Sequence, residues 1–402
     1  MSPVRSDHHP DHGREQRRNP HAAGLRHVLT HLITPLLMCI GMGLAYLGAF
    51  ANPAPHDLPV AVVGSGPSAQ LLAQSINDKA AGELQVRTVA HRADAVEQLR
   101  HQDIFGAYVL KGGAAHGGQR PAPELLVATA GSDTSATVVQ KIFTPLAAAQ
   151  GQPLTVTDIA PTAKDDPTGQ GIFFLLVAIS IGSYASVAVI GGAGAVLPMR
   201  LRAALVAGMS FVVSILGVLF AGPVFHLVDH GLWGLWGMAW LYSAGILLIG
   251  VGLHTFLKRW TTLGVMALFV MLNFTSSGGI FRPEMQNGFF AALHSFWNGA
   301  GFVEGTRSHV YFDGHGLAGH VWTLVVWLLV GAVVITVAGL AERRRKAAES
   351  EAAERATAVA AAAVAATVTE SGPRTGAGRR GADRANAEQA AEEEEMEEAV
   401  GV

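Results

Sequence analysis

Apolar residues in this chain fall into long unbroken runs joined by short polar junctions, except over one stretch where the runs are short. Val28 to Ala51 reads VLTHLITPLLMCIGMGLAYLGAFA, and further apolar runs occupy 171–197, 203–222, 234–256, 261–281 and 321–341. Each approaches the roughly 20 residues that a helix needs to cross a bilayer. The pattern predicts six spanning helices. Ala49-Phe50-Ala51 resembles a leader-peptide cleavage site, but the preceding run exceeds the ~7–15 residues of a leader core, so the segment is read as a retained anchor.

Residues 52–168 have another rhythm. PVAVV, LQVRTV, IFGAYVL, ELLVATA and PLTVTDI have strand character, and helical patterns lie between them near 68–79, 93–101 and 134–149. Strand–helix alternation predicts a small α/β domain inserted between the first and second spans.

Composition agrees with a membrane protein: half of the 402 residues are hydrophobic, 15% are charged, and mean hydropathy is +0.32. A net charge of −3 gives no basic footprint for nucleic acid. One cysteine, Cys39, excludes an intrachain disulfide. The basic junctions orient the chain. Arginines precede the first span, Arg200 and Arg202 lie between the second and third, Lys258 and Arg259 between the fourth and fifth, and Arg343, Arg344, Arg345 and Lys346 follow the last. One orientation puts all of them in the cytoplasm, with both termini inside and the α/β domain outside.

The expected organisation is therefore a disordered cytoplasmic tail (1–26), a first span (27–51), the extracytoplasmic α/β domain (52–168) and spans two to five (169–281). An external segment (282–320), a sixth span (321–345) and a cytoplasmic Ala/Glu-rich helix with an acidic tail (346–402) follow. Within 282–320, the run 285–303 is uncharged and almost long enough to span, but a seventh crossing would strand the terminal basic cluster outside. Asn287, Asn298 and several glycines interrupt it, so it reads as a re-entrant or interfacial pair of helices. The N-terminal DHHPDHG is read as solvated rather than metal-binding, and AEEEEMEEAV as a loose acidic end.

Candidate chemistry is sparse. LPVAVVGSGPSAQ contains Gly64-x-Gly66-x-x-Ala69 after a strand, the outline of a dinucleotide fingerprint. The second strand is followed by Ala90, His91 and Arg92, with no acidic residue for a ribose, so no cofactor is expected. No lysine is followed by Ser or Thr, so there is no phosphate-binding loop, and no catalytic constellation appears: the chain is expected not to be an enzyme. The predicted spans hold no Asp or Glu for a proton relay. The densest polar cluster is Asn273, Thr275, Ser276 and Ser277, leading into the broken segment.

Two stretches resemble the permeases of ABC type-2 exporters, in particular the YhgE/Pip-like membrane proteins. The first is LPVAVVGSGPSAQLLAQSIND with the helix and strand after it; the second is SSGGIFRPEMQNGFFAALHSFWNGAGFVEGTRSHVYF, with its turn at Pro283 and a helix ending in Thr306-Arg307. The likeness to ABC type-2 permeases implies export across the cell membrane by a homodimer or paired permease with a separate ATPase, while the YhgE/Pip-like branch by itself implies neither a substrate nor an ATPase partner. On that reading Asn273, Ser276, Ser277, Pro283, Glu304 and Arg307 are the candidate pathway or gate, and Glu304 and Arg307, three apart, share a helix face. Arg200, Arg202, Lys258 and Arg259 are the candidate contacts to the ATPase. The alternative is a non-transporting surface protein, a phage receptor or secretion accessory, acting through its ectodomain.

Overall fold

The computed structural model describes residues 20–110 and 122–370. The histidine-rich start and the acidic end therefore lie outside the described residues. Five helical stretches are long and apolar enough to cross a membrane: Val28–Phe50, Gly171–Gly191, Met199–Val224, Leu232–Thr275 and Leu317–Ala365. The protein is a polytopic membrane protein. The described residues up to 340 form one compact unit and those from 341 on a second.

α1 spans Pro20–Phe50, so helix replaces the expected disorder from residue 20. Proline is preorganised for a first helical turn and loses no hydrogen bond there. α5 (Gly171–Gly191) is followed by a 3-10 turn, Ala193–Val196, where the sequence predicted a continuous span to 197. α6 (Met199–Leu219) starts directly after Pro198, and this moves Arg200 and Arg202 from a loop into its first turn. It ends in a π turn, Phe220–Val224, around Pro223.

The longest apolar stretch is folded back on itself. α7 (Leu232–Leu257) ends at Lys258, whose φ of 48° breaks the helix, and the chain resumes as α8 (Thr261–Met266), a π segment (Ala267–Leu272) and α9 (Asn273–Thr275). In one continuous helix Tyr242 and Asn273 would stand more than ~45 Å apart. They are instead hydrogen-bonded at 2.6 Å, so the two arms are antiparallel. The second arm ends at Thr275, short of the expected 281, because Gly278 takes φ +73° and opens the chain.

The segment that follows is a helical hairpin, α10 (Gly288–His294) and α11 (Asn298–Tyr311). α12 (Leu317–Glu370) then begins four residues before the expected span, after Gly314 and Gly316 turn the chain with φ of +79° and +73°.

Between α1 and α5 stands the α/β domain, a five-stranded sheet ordered β2-β1-β3-β4-β5. Its elements are β1 (Leu58–Val63), α2 (Pro67–Ala80), β2 (Leu84–Val89), α3 (Arg92–Arg100), β3 (Ala107–Val109), β4 (Glu124–Val127), α4 (Asp133–Ala149) and β5 (Thr155–Asp158). β1 pairs parallel with β2 and β3, while β4 runs antiparallel to β3 and parallel to β5. Both faces are covered, which explains the unbroken apolar character of LPVAVV. Leu58, Val60 and Val62 pack with Tyr108 and Phe143 on one side; Ala61 and Val63 pack with Ala95 and Leu99 on the other. The glycine pattern has a packing cause: a Cβ on Gly64 would stand 2.9 Å from that of Ala69, so its absence lets α2 turn tightly off β1.

Candidate functional site

α11, the second helix of the hairpin, is sunk into the bundle, whereas α10 buries only Phe290 and leaves Gly288, Phe289 and Ala292 exposed. Asn298, at the start of α11, donates to the Tyr242 carbonyl at 3.5 Å. Tyr242 is ten positions beyond Leu232, so about 15 Å along α7 from its first residue. At its other end, α11 brings His309 to 3.1 Å from the Gly231 carbonyl, back at the start of α7. Thus α11 climbs beside α7 from mid-bundle to its end. Every residue from Asn298 to Ser308 is buried. Small residues allow this approach: a Cβ on Gly305 would stand 2.9 Å from Met238, and one on Gly301 3.2 Å from the His320 carbonyl.

Asn273 is the hub of the hairpin's inner end. Its Nδ2 donates to the Tyr242 hydroxyl at 2.6 Å, and that hydroxyl meets Ser180 Oγ of α5 at 2.5 Å. Its Oδ1 accepts from the Gly299 N–H at 2.7 Å, satisfying one of the free donors of the first turn of α11. One buried amide therefore ties four helices together. Ser276 and Ser277 turn inward on their own chain, donating to the Leu272 carbonyl at 2.6 Å and the Phe274 carbonyl at 2.9 Å. Pro283 opens the short turn Pro283–Met285, which leads into α10.

Above the hub lies a buried ion cluster. Glu304 is 2% exposed and Arg307 3%, so the expected pair is an interior one rather than one at the surface. Arg307 Nη1 donates to Glu304 Oε1 at 3.0 Å and to the Gly278 carbonyl at 2.8 Å, while Nη2 donates to the Gly279 carbonyl at 3.2 Å. The other carboxylate oxygen accepts from Arg282. His294 completes the ring: Nδ1 is 2.9 Å from the Ser276 carbonyl and Nε2 4.0 Å from Glu304. Burial alone would raise the Glu304 carboxyl, but Arg282 and Arg307 outweigh it and hold it at about 2. Burial pushes the His294 imidazole down to about 4 against the pull of Glu304. Glu284 approaches Arg282 Nε at 4.0 Å, so the cluster holds two guanidinium ions, two carboxylates and a neutral imidazole.

The α/β domain sits directly on this cluster. The Arg282 guanidinium lies over the Phe105 ring at 5.2 Å, just before β3. Thr134, in the first turn of α4, donates to the Ile280 carbonyl at 3.1 Å, and the His56 N–H donates to the Glu284 carbonyl at 2.7 Å. Phe312, after α11, is buried against Ala130 and Ala160.

The four candidate cations at the opposite end are separate from this site. Arg200, Lys258 and Arg259 are exposed, and Arg202 is 2% exposed. Tyr242, Arg282 and His294 were not singled out from sequence. Tyr242 is one aromatic in an apolar span, and in the sequence Arg282 is a charge three residues before the uncharged run 285–303.

Residues 26–194, less than half of the chain, match the family model described as ABC-2 family transporter protein. The match covers α1 from Arg26 on, the α/β domain and α5. No curated protein and no solved structure matches. The family match supports a permease subunit of an ABC transporter, and the YhgE/Pip-like likeness is narrower than it reaches.

Proposed function

We propose that the chain is the permease subunit of an ABC-2-type exporter with YhgE/Pip-like character, resident in the cell membrane and without enzymatic activity of its own. It crosses six times, counting the α7 and α8–α9 arms separately, with both termini in the cytoplasm. Two copies form the pathway, and a separate ATPase acts at the end carrying Arg200, Arg202, Lys258 and Arg259.

The observation that carries the reading is the buried helix α11 of the hairpin, fastened to the bundle by Asn273 and, through the segment before α10, to the α/β domain by Arg282. Polar backbone at membrane depth persists only where protein surrounds it. Buried unpartnered atoms support a movable role: among the described residues Asn298 Oδ1, Thr306 Oγ1 and Ser243 Oγ have no hydrogen-bond partner. On this reading the two groups of α11 find partners in the gate's other arrangement. The hairpin is the external gate of the pathway.

The test is purification of the tagged full-length chain from its native cells. The expected result is co-purification of a polypeptide with a phosphate-binding loop, with ATP hydrolysis that is lost in Arg200→Glu combined with Arg259→Glu. A chain that purifies alone and without hydrolysis, while correctly inserted, contradicts the reading.

A further inference from the structure

At the end of the bundle opposite the α/β domain, α5, α7 and α8 enclose a cleft of about 180 Å³. That is about six times the ~30 Å³ share of one water, so it exceeds a packing defect. Its walls are Ala185, Val187, Ala188, Val265 and Met266, and its polar lining is Tyr184, His254, Lys258, Thr261 and Thr262. Lys258, Thr261 and Thr262 cluster where α7 turns into α8; Ala185, Val187 and Ala188 of α5 face Val265 and Met266 of α8 as the apolar walls, with Tyr184 and His254 as further polar groups. The exterior beside the cleft is apolar, with Ile181 46% and Val189 64% exposed.

The charge at the mouth is uncompensated. Among the described residues Lys258 and Arg259 form no ion pair with a carboxylate, and Arg259 instead lies over the Trp260 ring at 5.3 Å. Lys258 also holds a backbone conformation, φ 48° and ψ −111°, that an L residue rarely adopts. Thr261 Oγ1 donates to the Lys258 carbonyl at 2.7 Å and braces that turn. A cation is thus presented on a bent turn beside an apolar slot.

We propose that this cleft binds one anionic phospholipid of the cytoplasmic leaflet. Lys258 meets the headgroup phosphate, the Thr261–Thr262 turn borders it, and the start of an acyl chain fills the alanine–valine slot. The charges suit an anionic headgroup rather than a zwitterionic one, and the apolar rim suits a chain-bearing ligand rather than a free phosphate. The site lies apart from the ion cluster at the other end and requires no ATPase.

Native mass spectrometry of the purified full-length chain, titrated with phosphatidylglycerol, phosphatidylcholine or soluble glycerophosphate, tests the proposal. One phosphatidylglycerol is expected to bind in preference to phosphatidylcholine, and glycerophosphate not to compete. Lys258→Gln should weaken that binding about fivefold, the worth of one basic residue near an anionic surface. Ala188→Leu, which narrows the slot without touching charge, should weaken it as well. Equal binding of the two lipids, full competition by glycerophosphate, or unchanged phosphatidylglycerol binding in both variants overturns the proposal. If Lys258→Gln abolishes ATPase association but leaves lipid binding intact, the lysine serves the partner and the lipid site is wrong.

Discussion

Glu304 joins two arginines that come from different segments, and the consequences of removing it can be stated. Glu304→Gln leaves Arg307 buried without its ion-pair partner and Arg282 with only Glu284 at 4.0 Å, and breaking a buried pair costs roughly 3–5 kcal/mol. The thermal midpoint of the purified protein should fall sharply, far more than after removal of the exposed Glu351–Arg355 pair. Arg282 also changes what charge reversal can do. Exchanging Glu304 and Arg307 would place the new arginine against Arg282, so the double swap should fail to restore stability or export. The i, i+3 spacing made the Glu304–Arg307 contact legible in the sequence, whereas Arg282 stands 22 positions away and only the fold brings it in. pH dependence follows from His294. Its imidazole takes a proton less readily folded, at about 4, than at the ordinary value of 6.5, so protonation favours unfolding. Its contribution is whole above pH 6.5 and is lost as pH falls from there toward 4. The Glu304 contribution is whole above 4.5 and is lost only as pH falls through about 2. Melting scans from pH 7.5 to 4.5 should show a midpoint falling below 6.5, and His294→Gln should flatten that fall.

At the scale of elements, the hairpin depends on how closely α11 approaches α9. A Cβ on Gly299 would stand 2.5 Å from Asn273 Oδ1, so Gly299→Ala must push the amide off its N–H and away from Tyr242. Asn273→Ala instead leaves that N–H without a partner and the Tyr242 hydroxyl with Ser180 alone, a cost of about 1–3 kcal/mol for the orphaned donor. Both variants should loosen α10–α11 selectively. Hydrogen exchange should rise over 288–311 while β1 and β4 keep their protection; uniform exchange across both would contradict the element assignment. The apolar runs and the strand–helix alternation were readable because burial on one or both faces writes its own period into the sequence. The polar breaks in 285–303 likewise showed a pair of helices. The depth of that pair was not readable, since glycines at 299, 301 and 305 act through neighbours distant in sequence. Nor was the antiparallel β4, because alternation of apolar and polar positions carries no strand direction.

For the whole molecule, the α/β domain has a core on each face of its sheet, and a fragment of residues 54–166 should fold as a soluble unit. Calorimetry with NAD and FAD should detect no binding, because Asp94 lies within the first turn of α3 rather than at the end of β2. The central claim is that α10–α11 dips into the bundle and returns to the side from which it entered, leaving six crossings. Labelling positions must be chosen from the fold: Ser132 caps α4 and is only 7% exposed, whereas Gln74, Asp313, Arg259 and Ala348 are exposed. In a Cys39→Ala background, an impermeant thiol reagent applied to intact cells should modify cysteines placed at Gln74 and Asp313. It should spare those placed at Arg259 and Ala348 until the membrane is opened. Modification of Gln74→Cys but not Asp313→Cys would mean that the hairpin crosses the membrane, and would contradict the account.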